Sequence, residues 1–258
     1  PMTSGDIALE HRDGIATVTF NRPEQRNAID YEGWVRVGRI VKDLAQDNEV
    51  KVVVFTGKGE EAFSAGADIK DFDRRRKDSA SAKAYAEAFD GALDAIEALP
   101  KPTICLIKGF CVGGGCELAT ATDLRIAAAG SMFGVPVAKI GVLVGYNEMR
   151  RLIALVGPGP AANLLLTARN IDEQEALRIG LVNQQSMTVE LLAFTLLWHG
   201  FSSRRRLPTA LGGAMVGVGL YLYFGSWVVP VILGAFVVWA LALRRRAARK
   251  AWRLALWG

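Results

Sequence analysis

A glycine triplet followed by a glutamate is the arrangement in this sequence best suited to chemistry. Gly113, Gly114 and Gly115 precede a short predicted helix, and Glu117 falls in its first turn. Backbone amides at the start of a helix carry positive potential and can bind a negatively charged oxygen. A carboxyl group beside them can accept or donate a proton. A glycine triplet alone is equally compatible with an ordinary tight turn.

Other kinds of catalytic centre find little support in the sequence. Neither His11, in the predicted opening hairpin, nor His199, near the C-terminal end, accompanies a recognisable Ser or Cys nucleophile pattern. Cys105, Cys111 and Cys116 lack paired metal-ligand spacing. We therefore expect the cysteines to be small buried apolar residues in a reducing compartment, and we expect no metal site.

Three motifs occur in a fixed order along the chain. They are NRPE at residues 21–24, FSAGADIK at 63–70 and GGGCELA at 113–119. Further similarity continues through DLRIA at 123–127, FGVP at 133–136 and ALRIGLV at 176–182. Together, in this order and spacing, the motifs resemble the crotonase (enoyl-CoA hydratase/isomerase) superfamily over about residues 5–185.

Proteins of this superfamily act on acyl-CoA thioesters, and the resemblance implies the same for this chain. Negative charge builds up on the thioester oxygen, and fixed N–H donors stabilise it. By resemblance, the N–H groups of Ala67 and Gly114 form this oxyanion hole, and Glu117 is the acid or base. Arg26 and Lys70 could bind CoA phosphates, although a lone surface cation is often just solvated. The resemblance also assigns CoA binding to Gly114 and to Ala65, Gly66, Ala67, Asp68, Ile69 and Lys70.

The sequence departs from the family pattern at the second catalytic acid. In hydratases of this family, a carboxylate after the proline of the Phe-x-x-Pro motif helps to activate water; here that residue is Val137. The family's Pro-Gly-x-Gly-Gly pattern is replaced by VGYNE at residues 144–148. Glu148 or Tyr146 could supply the missing group. An acid at a helix start can instead simply stabilise the helix dipole.

Alternating strand and helix patterns must position these residues. Apolar alternation around a favoured turn dipeptide predicts a hairpin, and apolar residues at helical spacing predict helices. The expected elements are a hairpin at 7–20, helices at 34–44, 85–96 and 172–180, strands at 50–55, 103–108 and 124–127, and a short helix from Cys116. The alternation indicates an α/β fold. The resemblance implies a crotonase-like spiral of ββα units within an acyl-CoA-binding domain at residues 1–185.

The C-terminal part of the chain has a different composition. All 26 acidic residues lie at or before Glu190, whereas 9 basic residues follow it. Residues 207–243 carry no formal charge and have arginines on both sides. This pattern predicts an atypical tail at 186–258 with a transmembrane helical hairpin at 207–243, both flanks facing the cytoplasm. A buried hairpin, a gene fusion or a frameshift are the alternatives.

The sequence therefore predicts a cytoplasmic enoyl-CoA hydratase or isomerase, attached to the membrane if the tail spans it, with no cofactor beyond the CoA moiety of its substrate. Because valine cannot transfer a proton, isomerisation, thioester hydrolysis and decarboxylation stay open. A membrane-tethered module that binds acyl-CoA without turnover is the alternative from another class. The basic residues flank an apolar run, so no nucleic-acid partner is expected. The resemblance implies a homotrimer or hexamer, and the unfamiliar tail leaves open whether this chain forms either.

Overall fold

The computed structural model describes residues 6–75 and 77–185. The strands are β1 (Ile7–Arg12), β2 (Ile15–Phe20), β3 (Val52–Gly57), β4 (Ala62–Ser64), β5 (Thr103–Ile107), β6 (Phe110–Val112), β7 (Leu124–Ala127), β8 (Met132–Gly134), β9 (Ile171–Asp172) and β10 (Gln184–Gln185). The helices are α1 (Tyr31–Gln46), α2 (Phe72–Arg75), α3 (Ser79–Glu97), α4 (Gly114–Thr120), α5 (Val137–Ile140), α6 (Tyr146–Val156), α7 (Pro158–Thr167) and α8 (Glu173–Arg178).

The described strands form two sheets. The larger has the order β1-β2-β3-β5-β7-β10, and the smaller has the order β4-β6-β8-β9. Pairing in the larger sheet is parallel except between β1 and β2, which form the predicted hairpin. Side chains of β2 alternate between buried and more exposed, as expected for a sheet with one face against the core.

The chain moves repeatedly between the two sheets and then into a helix. It does so through β3, β4 and the helices α2 and α3, through β5, β6 and α4, and through β7, β8 and α5. Each passage is a ββα unit, which agrees with the predicted α/β class. The repeat places the ends of β4, β6 and β8, and the helices that follow them, around a common region.

Helices α1 and α3 lie against each other. The ring of Trp34 meets that of Phe89 edge to face, with centroids 4.7 Å apart. Their backbones are near each other at Gly38, where a Cβ would make an ordinary van der Waals contact of 3.5 Å with the Cα of Ala92. The N-terminus of α3 has a capping box in which the carboxylate of Asp78 accepts from the N–H of Ser81 at 2.8 Å.

Most of the predicted elements are confirmed within a few residues. The short helix begins at Gly114 rather than at Cys116, because the glycines themselves form its first turn. All three cysteines are buried and free, as expected. In the described part of the chain, no helix combines the length and apolar character required to span a bilayer. The predicted spans at 207–243, like the rest of the tail after residue 185, lie outside the described residues.

Candidate active site

The segment that carries Ala67 is fixed by hydrogen bonds from the turn before α1. The side-chain amide of Asn27 donates to the carbonyl of Ala62 at 2.7 Å. The hydroxyl of Ser64 donates to the carbonyl of Asn27 at 2.8 Å and accepts from the N–H of Gly66 at 3.0 Å. The turn that follows the first motif therefore lies against the second motif.

Arg22 completes this connection. Its guanidinium donates to the carbonyl of Ala28 at 3.0 Å and to the carboxylate of Asp68 at 3.3 Å. The same carboxylate accepts from the N–H of Lys70 at 3.2 Å and caps the turn that follows. Asp68 thus holds the segment together.

The N–H group of Ala67 points away from its neighbouring chain. The N–H of Ile29 donates to the carbonyl of Gly66 at 2.8 Å, and the N–H of Asp68 donates to the carbonyl of Ile29 at 2.9 Å. Successive residues of an extended chain direct their backbone groups to opposite sides. The N–H of Ala67 is therefore directed to the side opposite Ile29 and is left for another acceptor.

Gly114 provides the second amide. It is the first residue of α4, where a backbone N–H has no partner within its own helix. A Cβ built on Gly114 would lie 3.4 Å from the nitrogen of Ala67, so the two segments are in contact. Gly66 makes this contact feasible, since its φ is +85° and a Cβ there would lie 2.5 Å from the nitrogen of Gly114. The structure thus brings the two predicted oxyanion-hole residues together.

A cavity of about 260 Å³ opens beside these amides. Ala67 and Gly114 lie on its wall, together with Glu117. Most of the remaining wall is apolar, as expected of a site for a small organic group. It comprises Ala65, Ile69, Phe72, Tyr85, Ala86, Phe89, Gly113, Pro136, Val137, Ile140, Val142, Leu143, Val144 and Gly145.

Glu117 is held in the first turn of α4, where its N–H donates to the carbonyl of Gly113 at 3.0 Å. Burial raises the pKa of its carboxyl group to about 8, and the negative charges of Glu148 and Asp90 act in the same direction. A carboxyl group with this pKa is largely protonated at neutral pH and can donate or accept a proton.

Two further acids reach the cavity wall, from different helices. Glu148 lies in the first turn of α6 and is only 4% exposed, and Asp90 lies on α3 and is half-buried. The two carboxyl groups are close enough for the negative charge of Glu148 to act on Asp90. The pKa of Asp90 is raised to about 6 by burial and by the charges of Glu148 and Asp94, and the charge of Arg151 opposes this rise.

The remaining predicted residues are placed differently. Val137 lies on the cavity wall, as the position of the missing acid should, whereas Tyr146 is 74% exposed and does not line the cavity. Arg26 pairs with Glu61 at 2.7 Å, and neither it nor Lys70 lines the cavity. A role of these two cations toward CoA phosphates stays a prediction.

Sequence reasoning missed Asp90 and the residue that orients its partner, Arg151. The only signal was a set of acids at 90, 94 and 97, which fall on one face of α3. Such a face is usually solvated. Its meeting with Arg151 of α6 depends on contacts between residues more than 50 positions apart.

An α/β fold of ββα units, with paired backbone amides and carboxyl groups around an apolar cavity, defines the class of protein. A model of the family "Enoyl-CoA hydratase/isomerase" matches residues 10–199. The chain therefore belongs to the enoyl-CoA hydratase/isomerase family, within the crotonase superfamily.

Individual relatives agree with this assignment. A short-chain-enoyl-CoA hydratase of Clostridium acetobutylicum is 37% identical over 191 residues, which cover 74% of this chain and 72% of that protein. A crotonyl-CoA hydratase of Syntrophomonas wolfei is 38% identical over 191 residues, 74% of this chain and 73% of that protein. The crystal structure of an enoyl-CoA hydratase/carnithine racemase from Magnetospirillum magneticum superposes with a TM-score of 0.69 at 35% identity, covering 90% of this chain and 92% of that chain.

Proposed function

We propose that this chain is an enzyme that binds an enoyl-CoA thioester with its carbonyl oxygen between the N–H groups of Ala67 and Gly114. The observation that carries the proposal is the contact of these two backbone segments, both on the wall of one apolar cavity. Amide donors that converge on one oxygen stabilise the negative charge of an enolate. The dipole of α4 adds positive potential at the same point.

Glu117 is the group that transfers a proton at the α-carbon of the substrate. Its carboxyl group lies on the same cavity wall as the two amides, and its raised pKa of about 8 leaves it protonated at neutral pH. It is then ready to protonate an enolate carbon after a nucleophile has added. The chemistry uses amides and carboxyl groups, so it requires no cofactor beyond the CoA moiety of the substrate.

Water addition is the first reaction to test. The two relatives named above are called hydratases of short-chain enoyl-CoA and crotonyl-CoA, and the apolar cavity is suited to a short acyl group. We therefore take crotonyl-CoA as the first substrate.

Isomerisation is the second candidate, and Val137 favours it. This side chain occupies the position of the second acid on the cavity wall and cannot transfer a proton. A 1,3-proton shift requires a single base, so Glu117 alone could move a proton from the α-carbon to the γ-carbon of a 3-enoyl-CoA.

The proposal is tested by assaying the full chain with crotonyl-CoA and with a 3-enoyl-CoA. We expect turnover of at least one, and a fall in kcat of about 10²–10⁴ in Glu117→Gln. Glu87→Gln is the matched control, since this exposed glutamate of α3 pairs with Lys83 at 3.8 Å and does not line the cavity. Equal activity of Glu117→Gln and the parent would remove Glu117 from the mechanism. Tight acyl-CoA binding without turnover would instead indicate a binding module.

A further inference from the structure

The cavity wall carries more carboxyl groups than the proposed reaction uses. Besides Glu117, its wall carries Asp90 and Glu148, and the negative charge of Glu148 acts on the carboxyl group of Asp90. Asp90 comes from the middle of α3 and Glu148 from the first turn of α6. Neighbouring negative charges repel, so the charge of Glu148 opposes ionisation of Asp90 and makes Asp90 a stronger base than an isolated carboxylate.

The position of Glu148 is fixed from two sides. At its N-terminal side, Gly145 leaves room for the carboxylate, because a Cβ at this glycine would lie 2.1 Å from Oε2 of Glu148. On its other side, the buried guanidinium of Arg151 lies 3.5 Å from Oε1 of Glu148. An acid that only stabilised the dipole of α6 would need neither burial nor an arginine partner.

Arg151 is itself held by α3. Its Nε donates to the carboxylate of Glu97 at 2.8 Å, and its guanidinium also pairs with Asp94. Only 2% of its side chain is exposed. Arg151 is therefore a positioning residue: it connects α6 to the helix that carries Asp90 and orients Glu148 toward the cavity.

We propose that Asp90 and Glu148 together form the second acid–base group of this site and activate water for addition to the β-carbon of an enoyl-CoA. This inference rests on the proposed function. The pair enters the cavity from α3 and α6, whereas Val137, at the family position of the second acid, is the first residue of α5. The site then has two acid–base groups despite the valine.

The hydration step balances with these groups. The ionised carboxylate of the pair removes a proton from water, whose oxygen forms a bond to the β-carbon. The electron pair of the carbon–carbon double bond moves toward the thioester, and the amides of Ala67 and Gly114 bind the enolate oxygen. The α-carbon then takes the proton of Glu117. After product release, the proton gained by the pair returns to Glu117 through water.

The charges around the two groups give them opposite proton occupancy at neutral pH. The pKa of Glu117 is raised to about 8 by burial and by the two neighbouring acids. The pKa of Asp90 is raised to about 6 by burial and by Glu148 and Asp94, against the opposing charge of Arg151. At pH 7 Glu117 is therefore the donor, and Asp90 is mostly ionised and serves as the base. Hydration should be fastest between these two values.

The test compares two reactions of the full chain in Asp90→Asn, in Glu148→Gln and in the double variant. Hydration of crotonyl-CoA is measured at pH 7, and isomerisation of a 3-enoyl-CoA at pH 9, where Glu117 is ionised. We expect each single variant to lose about 10²–10⁴ in kcat for hydration. The double variant should have about the same kcat for hydration as the less active of the two single variants, because the two residues act as a unit. Isomerisation should be retained, and Glu87→Gln should hydrate at the parental rate.

Each of the following results would overturn the inference. Hydration at the parental rate by either single variant would show that the pair is not needed. An equal loss of hydration and isomerisation would indicate a structural role. Should Glu148→Gln fail to fold, Asp90→Asn carries the same test at a half-buried position. A parent that isomerises but does not hydrate would refute the inference and leave the proposed function standing, whereas a parent inactive on both substrates would refute the proposed function.

Discussion

The substitution Gly66→Ala examines the contact between the two amide-bearing segments directly. Gly66 has a φ of +85°, and a Cβ there would lie 2.5 Å from the nitrogen of Gly114 and 2.8 Å from the carbonyl oxygen of Val112. Both neighbours are backbone atoms in the tight connection from β6 to α4. An alanine therefore cannot be accommodated by moving a side chain, and the backbone itself must shift.

The size of the effect follows from these distances. Ordinary van der Waals contact begins near 3.4 Å, so the two segments must separate by about 0.9 Å. A hydrogen bond of about 2.9 Å lengthened by this amount is effectively lost. Loss of one donor to an oxyanion lowers kcat by about 10²–10³. The left-handed conformation costs a further ~1–2 kcal/mol of folding stability.

Gly130→Ala is the matched control for the conformational cost. Gly130 also has a positive φ, +79°, but a Cβ there would meet nothing within 4 Å. Both variants should therefore lose about 1–2 kcal/mol of unfolding free energy from the backbone strain. The two should differ in kcat.

The assay combines urea unfolding with steady-state kinetics on crotonyl-CoA. We expect Gly66→Ala to lose kcat with a smaller change in KM, because the hydrogen bonds to the oxygen strengthen as charge develops. Gly130→Ala should retain the parental kcat. If folded Gly66→Ala turned over like Gly130→Ala, the two amides would not be acting on the same oxygen.

Three further substitutions probe charge and packing. The raised pKa of Glu117 lets the folded state keep a proton that the unfolded chain releases above about pH 4.5. The stability of the parent should therefore fall as pH rises from 5 through 8. Melting temperatures recorded across that range should decline less in Glu117→Gln. Arg151→Met leaves Glu148 buried without its cation and should cost about 3–5 kcal/mol in urea unfolding; a loss below 1 kcal/mol would contradict the burial argument. Asp123→Ala removes the acceptor for the N–H and hydroxyl of Thr103, both at 2.8 Å, and should cost about 1–2 kcal/mol with unchanged KM; a large rise in KM would contradict this structural role.

The elements of the fold could be predicted because their signals are local. The alternation of β2 and the helical spacing of α1 and α3 are both properties of short stretches of sequence, and each gave the correct element. The beginning of α4 was misplaced by two residues because glycine carries a low helix propensity, and a run of it reads as a turn. Tertiary contact with the β4–α2 connection overrides that preference.

The candidate site could be predicted only in part, for the same reason. The amides and Glu117 lie in contiguous motifs, so the resemblance identified them as a set. The pairing of Asp90 with Glu148 joins two helices whose residues are 58 positions apart, and no local pattern marks it. For Arg26 the structure shows an ion pair with Glu61, and its predicted contact with CoA stays a prediction.

The two halves of the site thus have different structural origins. The amide half is formed by the connection after β4 and the connection after β6. The first is held by the hydrogen bonds of Ser64 with Asn27 and Gly66, and Gly66 allows the second to lie against it. The acid half is assembled from helices, through the contacts of Arg151 with α3 and with Glu148. The hydrogen bonds of Asn27 and Ser64 that hold the amide half do not involve Asp90 or Glu148. In the mechanism we propose, the amides of Ala67 and Gly114 therefore work with a base supplied from α3 and α6, although Val137 of α5 occupies the family position of the second acid. Proton transfer requires only that a carboxyl group reach the cavity, and helices other than α5 can carry that group.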